Sequence, residues 1–368
     1  VYGTSEKALD ALCYLRGHVE VKLLAIVNAP GASLIGDHLK DLTDEVFPDL
    51  PCIVLETPGL SENFCDGYAA ASLELLRQLE PAIRQKASAD APGRERRPTV
   101  NLLGLSIWNR YFEGDLAELK KLFDLCGIDV NCVLCGDCTQ EELYGLAEAD
   151  LNVVIRPEEG LPAAAYLREL YGLPYYVCEG PPVGFSATES IFTDICGKLS
   201  ECLPPGIVRP DADRLLDLSH RSRARAWPRI ESVYETSGCP EGATFALEGS
   251  LSEVYAFTRF FTEYLGMEPE RLTITSGDDP MMLEKLHALL RDCGAPDALA
   301  GDLAGTKAQL VFANANTIAS CMLENRTFTG IETARPEMGY VDLLPKTQLG
   351  LTGALFLIEQ ILNGLNRI

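Results

Sequence analysis

An α/β fold built from consecutive parallel-sheet units is the class this sequence predicts, and three observations carry the prediction. A short β-branched run, a loop with Gly or Pro and an amphipathic segment recur in that order along the chain. Strand and helix alternate in the rhythm of parallel sheets with right-handed crossovers. The 368 residues, 47% hydrophobic and 23% charged, suit a globular chain of about two or three cores.

The elements follow in order. A strand over 21–27 leads through Asn28–Ser33 into a helix over 35–42, and a strand over 52–55 leads through Thr57-Pro58-Gly59 into a helix over 68–79. Ala71, Leu75, Leu76 and Leu79 fall on one face of that helix. The loop before it is long for a strand-to-helix connection, which suggests either a functional loop or an N-cap region with Asp66 as the cap. Residues 85–97 hold no large aliphatic side chain and read as a helix end and an exposed linker.

A second unit opens with Val100-Asn101-Leu102-Leu103-Gly104. Its spacing predicts helices over 115–125, 141–146 and 163–171, and strands over 130–134, 151–155 and 174–178. Pro204-Pro205-Gly206 marks a break, followed by a charged helix over 211–227. A third unit has strands over 244–247, 272–275 and 310–313, helices over 254–265 and 281–290, and a closing helix over 353–365. In such sheets ligands sit beyond the carboxyl ends of the strands, so the strand-to-helix loops are where a site is expected.

The net charge of −23 disfavours nucleic acid, whose phosphates an acidic surface repels. Two basic stretches, 94–97 and 220–225, read as a solvated linker and a helix face. Apolar runs far shorter than about 20 residues predict no membrane span. Thirteen cysteines, several in apolar strand-like runs, fit reduced thiols in a cytoplasmic protein better than a disulfide framework. The chain starts at Val1 rather than Met, so part of the first unit is expected upstream.

No dinucleotide fingerprint, Walker loop, zinc-hydrolase helix or nucleophile elbow is present. The sharpest local pattern is Cys132-x-x-Cys135-x-x-Cys138 at a strand end. Thiolates at this spacing can converge on a metal or cluster when they lie on a loop. The alternative is one buried strand thiol and two loop thiols. Trp108, Arg110, Tyr111 and Phe112, between Gly104 and Gly114, suit either a pocket wall or a seam between units.

Taken together, the loops resemble the nitrogenase component 1 family, which includes dinitrogenase subunits, their cofactor-assembly scaffold homologues and dark-operative protochlorophyllide reductase subunits. The resemblance is carried by Tyr2-Gly3 with Glu6-Lys7, Leu34-Ile35-Gly36-Asp37, Thr57-Pro58-Gly59 with Gly67-Tyr68, and Val100–Gly104 with Gly114-Asp115-Leu116. Gly136-Asp137, Pro181-Pro182-Val183-Gly184 with Ala187-Thr188, and Leu349-Gly350 with Gly353-Ala354 continue it to the end of the chain. The resemblance implies three Rossmann-like domains around a central cleft, at 1–93, 98–205 and 241–368, with a helical connector over 206–240.

The departures bear on chemistry. Where the family places a cluster-ligating cysteine before a proline, this chain has Ala29. Where the cofactor-holding dinitrogenase subunit has its cysteine and histidine ligands, this chain has Arg156 and Leu349. Methyl, guanidinium and isobutyl groups do not ligate metals. No iron–molybdenum cofactor and no dinitrogen reduction are therefore expected. The family's earlier cysteines fall upstream of Tyr2, which leaves an iron–sulfur cluster open.

The resemblance thus implies one subunit of an oxidoreductase that pairs with a homologous subunit and receives electrons from an ATP-dependent iron–sulfur reductase. The alternative is a scaffold or carrier for assembly of a metal cluster or tetrapyrrole. Cys65, Trp108, Arg156 and Ser250 are the candidate cofactor-cavity residues, and Cys135 and Cys138, expected near the same cavity, the candidate metal ligands. Arg156 suits either an anionic cofactor such as a carboxylated tetrapyrrole or an interdomain ion pair.

Overall fold

The computed structural model describes residues 5–28, 39–55, 63–87, 96–323, 327–338 and 342–366. Its strands form three parallel sheets flanked by helices. In the first, β1 (Leu24–Val27) pairs with β2 (Cys52–Leu55), between α1 (Ser5–His18), α2 (Leu39–Val46) and the long α3 (Phe64–Ala87). The loops containing Ala29, Leu34–Asp37 and Thr57–Gly59 lie outside the described residues.

The second sheet has the order β4-β3-β5-β6, with β3 at Thr99–Leu103, β4 at Asp129–Val133, β5 at Leu151–Val154 and β6 at Tyr175–Val177. Its helices are α4 (Phe112–Leu125), α5 (Gln140–Tyr144), α6 (Pro157–Tyr171) and α7 (Phe185–Cys202). The strand after β3 lies on one side of it and the next on the other, so the crossovers diverge at the carboxyl end of β3. Asn101 and Asn152 are buried polar residues that meet inside the sheet. The Asn101 amide donates to Asn152 Oδ1 at 2.9 Å and to Leu146 O at 2.8 Å.

After the connecting helix α8 (Asp213–Ser237), the third sheet repeats the plan with the order β10-β9-β7-β8. Its strands are β7 (Thr244–Ser250), β8 (Glu268–Ser276), β9 (Leu310–Ala313) and β10 (Thr329–Glu332). α9 (Leu251–Leu265), α10 (Pro280–Asp292), α11 (Ala315–Leu323) and the closing α12 (Gly350–Leu365) complete it. One continuous apolar core joins the second and third units through α4, α7, α9 and α12. A second core sets Leu75, Leu76, Leu79 and Ile83 of α3 against α6 and the second sheet. Burying each of these side chains contributes about 1.5–3 kcal/mol.

The sequence places the main strands correctly, and the differences have local causes. Helix α3 starts at Phe64 because Asn63, not Asp66, is its cap: Asn63 Oδ1 accepts from the amides of Cys65 and Asp66 at 2.9 and 3.2 Å. Asp66 closes the box by accepting from the Asn63 amide at 3.1 Å. The helix also runs through Pro81 to Ala87, beyond its apolar stripe. Likewise α8 continues past Trp227 to Ser237, where Gly238 in the left-handed conformation ends it. Strand β10 and helix α11 carry no period long enough to be legible.

Close packing rather than turn geometry alone fixes Gly104. Its φ is +71°, and a Cβ there would fall 2.5 Å from the carbonyl oxygen of Arg156. Gly104→Ala is expected to destabilise the fold by about 2–4 kcal/mol. Gly172, also left-handed but in open space, should cost only about 1 kcal/mol as alanine. Chemical denaturation of the two variants checks the contrast, and equal losses would contradict the packing account.

Candidate functional site

The carboxyl ends of the second and third sheets face a common cavity of about 950 Å³, at the upper end of the range for small-molecule sites. Each wall is a strand-end loop. Trp108–Tyr111 follow β3, Arg156 follows β5, Glu248–Ser250 end β7, Asn314 follows β9, and Thr333–Glu337 follow β10. Helix α3 of the first unit contributes Phe64 and Cys65.

Arg156 is the centre of the floor and is 5% exposed. Its Nε donates to Glu253 Oε1 at 2.8 Å and its Nη1 to Asn109 Oδ1 at 3.2 Å. Asn109 is itself fixed by the Ser106 amide, which donates to the same oxygen at 2.8 Å. The pair joins the second unit to the third, so the guanidinium is already balanced from within the chain. Burial works against its charge, but Glu253, Glu159 and Asp115 outweigh that and push its pKa up.

Ser250 is the N-cap of α9, and Glu253 is the partner residue of its capping box. The Glu253 amide donates to Ser250 Oγ at 3.4 Å, and the Ser250 amide donates to Glu253 Oε2 at 3.2 Å. Burial raises the Glu253 pKa, but Arg156 and the Ser250 bonds prevail and hold it below the ordinary carboxylate value. Beside it, Glu158 of α6 reaches across to the same helix end. Its two oxygens accept from the Ser252 amide and the Ser252 hydroxyl, both at 2.7 Å. Two helix N-termini from different units are thus locked by exchanged carboxylates, which the positive ends of both helices favour.

Two further carboxyls behave differently. Asp115 of α4 accepts from Thr347 Oγ1 at 2.8 Å and from the Gln348 amide at 2.9 Å, pinning the segment before α12. Burial pushes it up to about 6 against the pull of Arg156. Glu159 of α6 is pushed up to about 7 by burial, again against Arg156. Arg110 lies under the rim with Asp342 at 2.5 Å, Glu337 at 3.4 Å and Glu332 at 3.7 Å. The lining therefore holds three arginines against five carboxyl residues and is acidic.

Of the six residues the sequence singles out, Cys65, Trp108, Arg156 and Ser250 line this cavity. Trp108 is largely exposed at its mouth. The Cys65 sulfur lies 3.2 Å from Ser276 Oγ, and burial pushes the thiol up to about 12, so it is neutral. Cys135 and Cys138 do not line the cavity, contrary to the expectation that the pair lies near it. They sit on the far side of the loop after β4, under α3. There Ser72 Oγ donates to Cys135 Sγ at 3.4 Å, and the thiols of Cys132 and Cys138 are hydrogen-bonded to each other. Among the described residues, no three Cys, His, Asp or Glu side chains are grouped to hold a metal ion. Leu349 is buried in the core at the start of α12 rather than facing the cavity. These residues do not fit the large metal cofactor of the dinitrogenases.

Glu159, Glu253 and Asp115 line the cavity but are not among the candidate residues that the sequence alone singles out. Ser250-x-x-Glu253 is a capping-box pattern that marks Glu253. Pro157 in the first turn of α6 fixes where Glu158 and Glu159 fall. Asp115 falls in the Gly114-Asp115-Leu116 motif, but that motif does not reveal its contacts, because its partners are more than 230 positions away in the chain.

The family model described as nitrogenase component 1 type oxidoreductase matches residues 1–366. The chain belongs to that family. Within it, the chain is 27% identical over 244 residues to a light-independent protochlorophyllide reductase polypeptide of Rhodopseudomonas palustris (strain BisA53), covering 65% of this chain and 43% of that protein. It is 26% identical over 302 residues to the corresponding polypeptide of Synechococcus sp. (strain CC9605), covering 80% of this chain and 54% of that protein. The chain thus spans about half the length of these relatives. The structure of nitrogenase Cp1 at pH 6.5 shares the fold, with a TM-score of 0.73 and 19% identity over all of this chain and 80% of that one. No helix among the described residues is long and apolar enough to cross a membrane.

Removing one partner of the Arg156–Glu253 pair leaves a buried charge. Arg156→Met should destabilise the fold by about 3–5 kcal/mol, and Arg156→Met with Glu253→Gln by less than the sum of the single changes. A double-mutant cycle in urea checks this, and strict additivity would contradict it.

Between pH 4 and 7 the folded chain keeps protons on Asp115 and Glu159 that the unfolded chain releases. These groups therefore make stability fall as pH rises through that window. Asp115→Asn with Glu159→Gln should flatten the slope by on the order of 1–3 kcal/mol per group. Denaturation at pH 5 and pH 8 measures it, and an unchanged slope would contradict the assignment.

Proposed function

We propose that the chain is one subunit of a reductase that receives electrons from an ATP-hydrolysing iron–sulfur partner, pairs with a second component 1-type subunit, and acts on a substrate other than dinitrogen. The three sheet units would serve as its domains, at 1–93, 98–205 and 241–368, with 206–240 as connector. The observation that carries the reading is the cavity itself. It lies between the carboxyl ends of the second and third sheets, and its floor presents Arg156, where the resemblance implies a ligand cysteine, beside Asp115 and Glu159. A cavity of about 950 Å³ suits an organic molecule far larger than a diatomic gas. Membership in a family with protochlorophyllide reductases supports a tetrapyrrole as its class. The acidic floor suits a neutral or hydrogen-bond-donating face of such a molecule, with any carboxylates turned toward the rim.

A second reading is a non-catalytic scaffold or carrier for assembly of a metal cluster or tetrapyrrole, favoured by Ala29, Arg156 and Leu349 standing where the resemblance implies metal ligands. Anaerobic assay of the complex with its reductase, MgATP and protochlorophyllide separates the two. The expected outcome is ATP-dependent consumption of protochlorophyllide and no ammonia from dinitrogen. Tight binding of protochlorophyllide without turnover would overturn the reductase reading in favour of the carrier.

A further inference from the structure

Among the described residues, one carboxyl on the cavity floor keeps an oxygen with no hydrogen-bond partner. Glu158 is held by Ser252, Glu253 by Arg156 and Ser250, and Asp115 by Thr347 and Gln348. Glu159, which lines the cavity and is 3% exposed, has its Oε2 buried with no hydrogen-bond partner among the described residues. The ionisable groups facing it are Arg156 and Glu158 from its own segment, Glu253 from α9, and Cys65 and Tyr68 from α3.

An ionised carboxylate buried without a donor is costly, whereas a protonated one needs only somewhere to place its O–H. The second carboxylate, Glu253, and the neutral thiol of Cys65 supply no donor strong enough to change that balance. Arg156 pulls the other way, so the group is poised near neutrality at about 7 rather than locked in the acid form. That is the condition under which a general acid works best.

We propose that Glu159 is the proton donor to the substrate reduced in this cavity. The inference rests on the reductase reading above. As the partner's iron–sulfur centre delivers two electrons to a substrate double bond, two protons must arrive with them. One comes from Glu159, whose O–H bond breaks as the new bond to the substrate atom forms. The resulting carboxylate is stabilised by Arg156 until water reprotonates it, and the second proton comes from solvent. Arg156 acts here as a positioning residue, supplying the counter-charge that lets the proton leave.

Two measurements on Glu159→Gln and Glu159→Asp test this. In the first, infrared difference spectra of the full chain are recorded from pH 5 to 9. A protonated carboxyl band that titrates near pH 7 and is missing from Glu159→Gln is expected. In the second, turnover of protochlorophyllide is followed in the complex with reductase and MgATP. Glu159→Gln should lower kcat by about a hundredfold with KM changed less than about twofold, and should abolish the alkaline fall in rate, while Glu159→Asp recovers part of it. Wild-type kcat and pH profile in Glu159→Gln would overturn the proposal. If the wild-type complex does not consume protochlorophyllide, the substrate reading fails and the infrared result decides alone. Absence of the titrating band overturns the proposal, and its presence supports it.

Discussion

The exchange of carboxylates between two helix starts is the constraint on which the rest of this structure depends. Glu253 of α9 reaches back to Arg156 beneath α6, while Glu158 of α6 reaches across to Ser252 at the start of α9. Each carboxylate satisfies amide or guanidinium donors that the fold buries, and each sits where a helix macrodipole favours negative charge. Loss of either would leave a buried charge or an unsatisfied helix end between the second and third sheets. The cavity is the space these paired ends enclose, so its shape and its electrostatics have the same origin.

That arrangement explains why the site is acidic although an arginine lies at its centre. The resemblance implies a metal ligand at the position of Arg156, yet the charge of this arginine is balanced inside the chain. The surplus of carboxyls around it follows from the way the units are joined: Glu253 caps α9, Glu158 bridges to it, and Asp115 pins the segment before α12. Beside these carboxyls, Glu159 keeps an oxygen without a hydrogen-bond partner among the described residues.

Much of this frame is legible in the sequence. The β-branched runs of β3, β5, β7 and β9 stand out because buried parallel strands are almost wholly apolar, and the glycines at 104 and 114 mark places where backbone approaches backbone. Four of the candidate residues can be placed because strand-end loops must converge. The misplaced pair, Cys135 and Cys138, shows the limit. Spacing alone says that thiols are close in sequence, but the turn after β4 aims them under α3 rather than into the cavity. The role of Asp115, though the residue lies in a quoted motif, is illegible for the opposite reason, since it rests on a contact with Thr347 and Gln348 that only the closed fold brings about.

On the proposals above, this cavity handles protons and holds no metal against Arg156, while the chain keeps the family's fold. Electron paramagnetic resonance of the anaerobically purified complex, wild type against Arg156→Lys, tests this most directly. The predicted result is that any cluster signal in the complex is the same in both, because no metal centre lies against Arg156. A cluster signal whose line shape changes on Arg156→Lys would place a metal in the cavity and contradict the account.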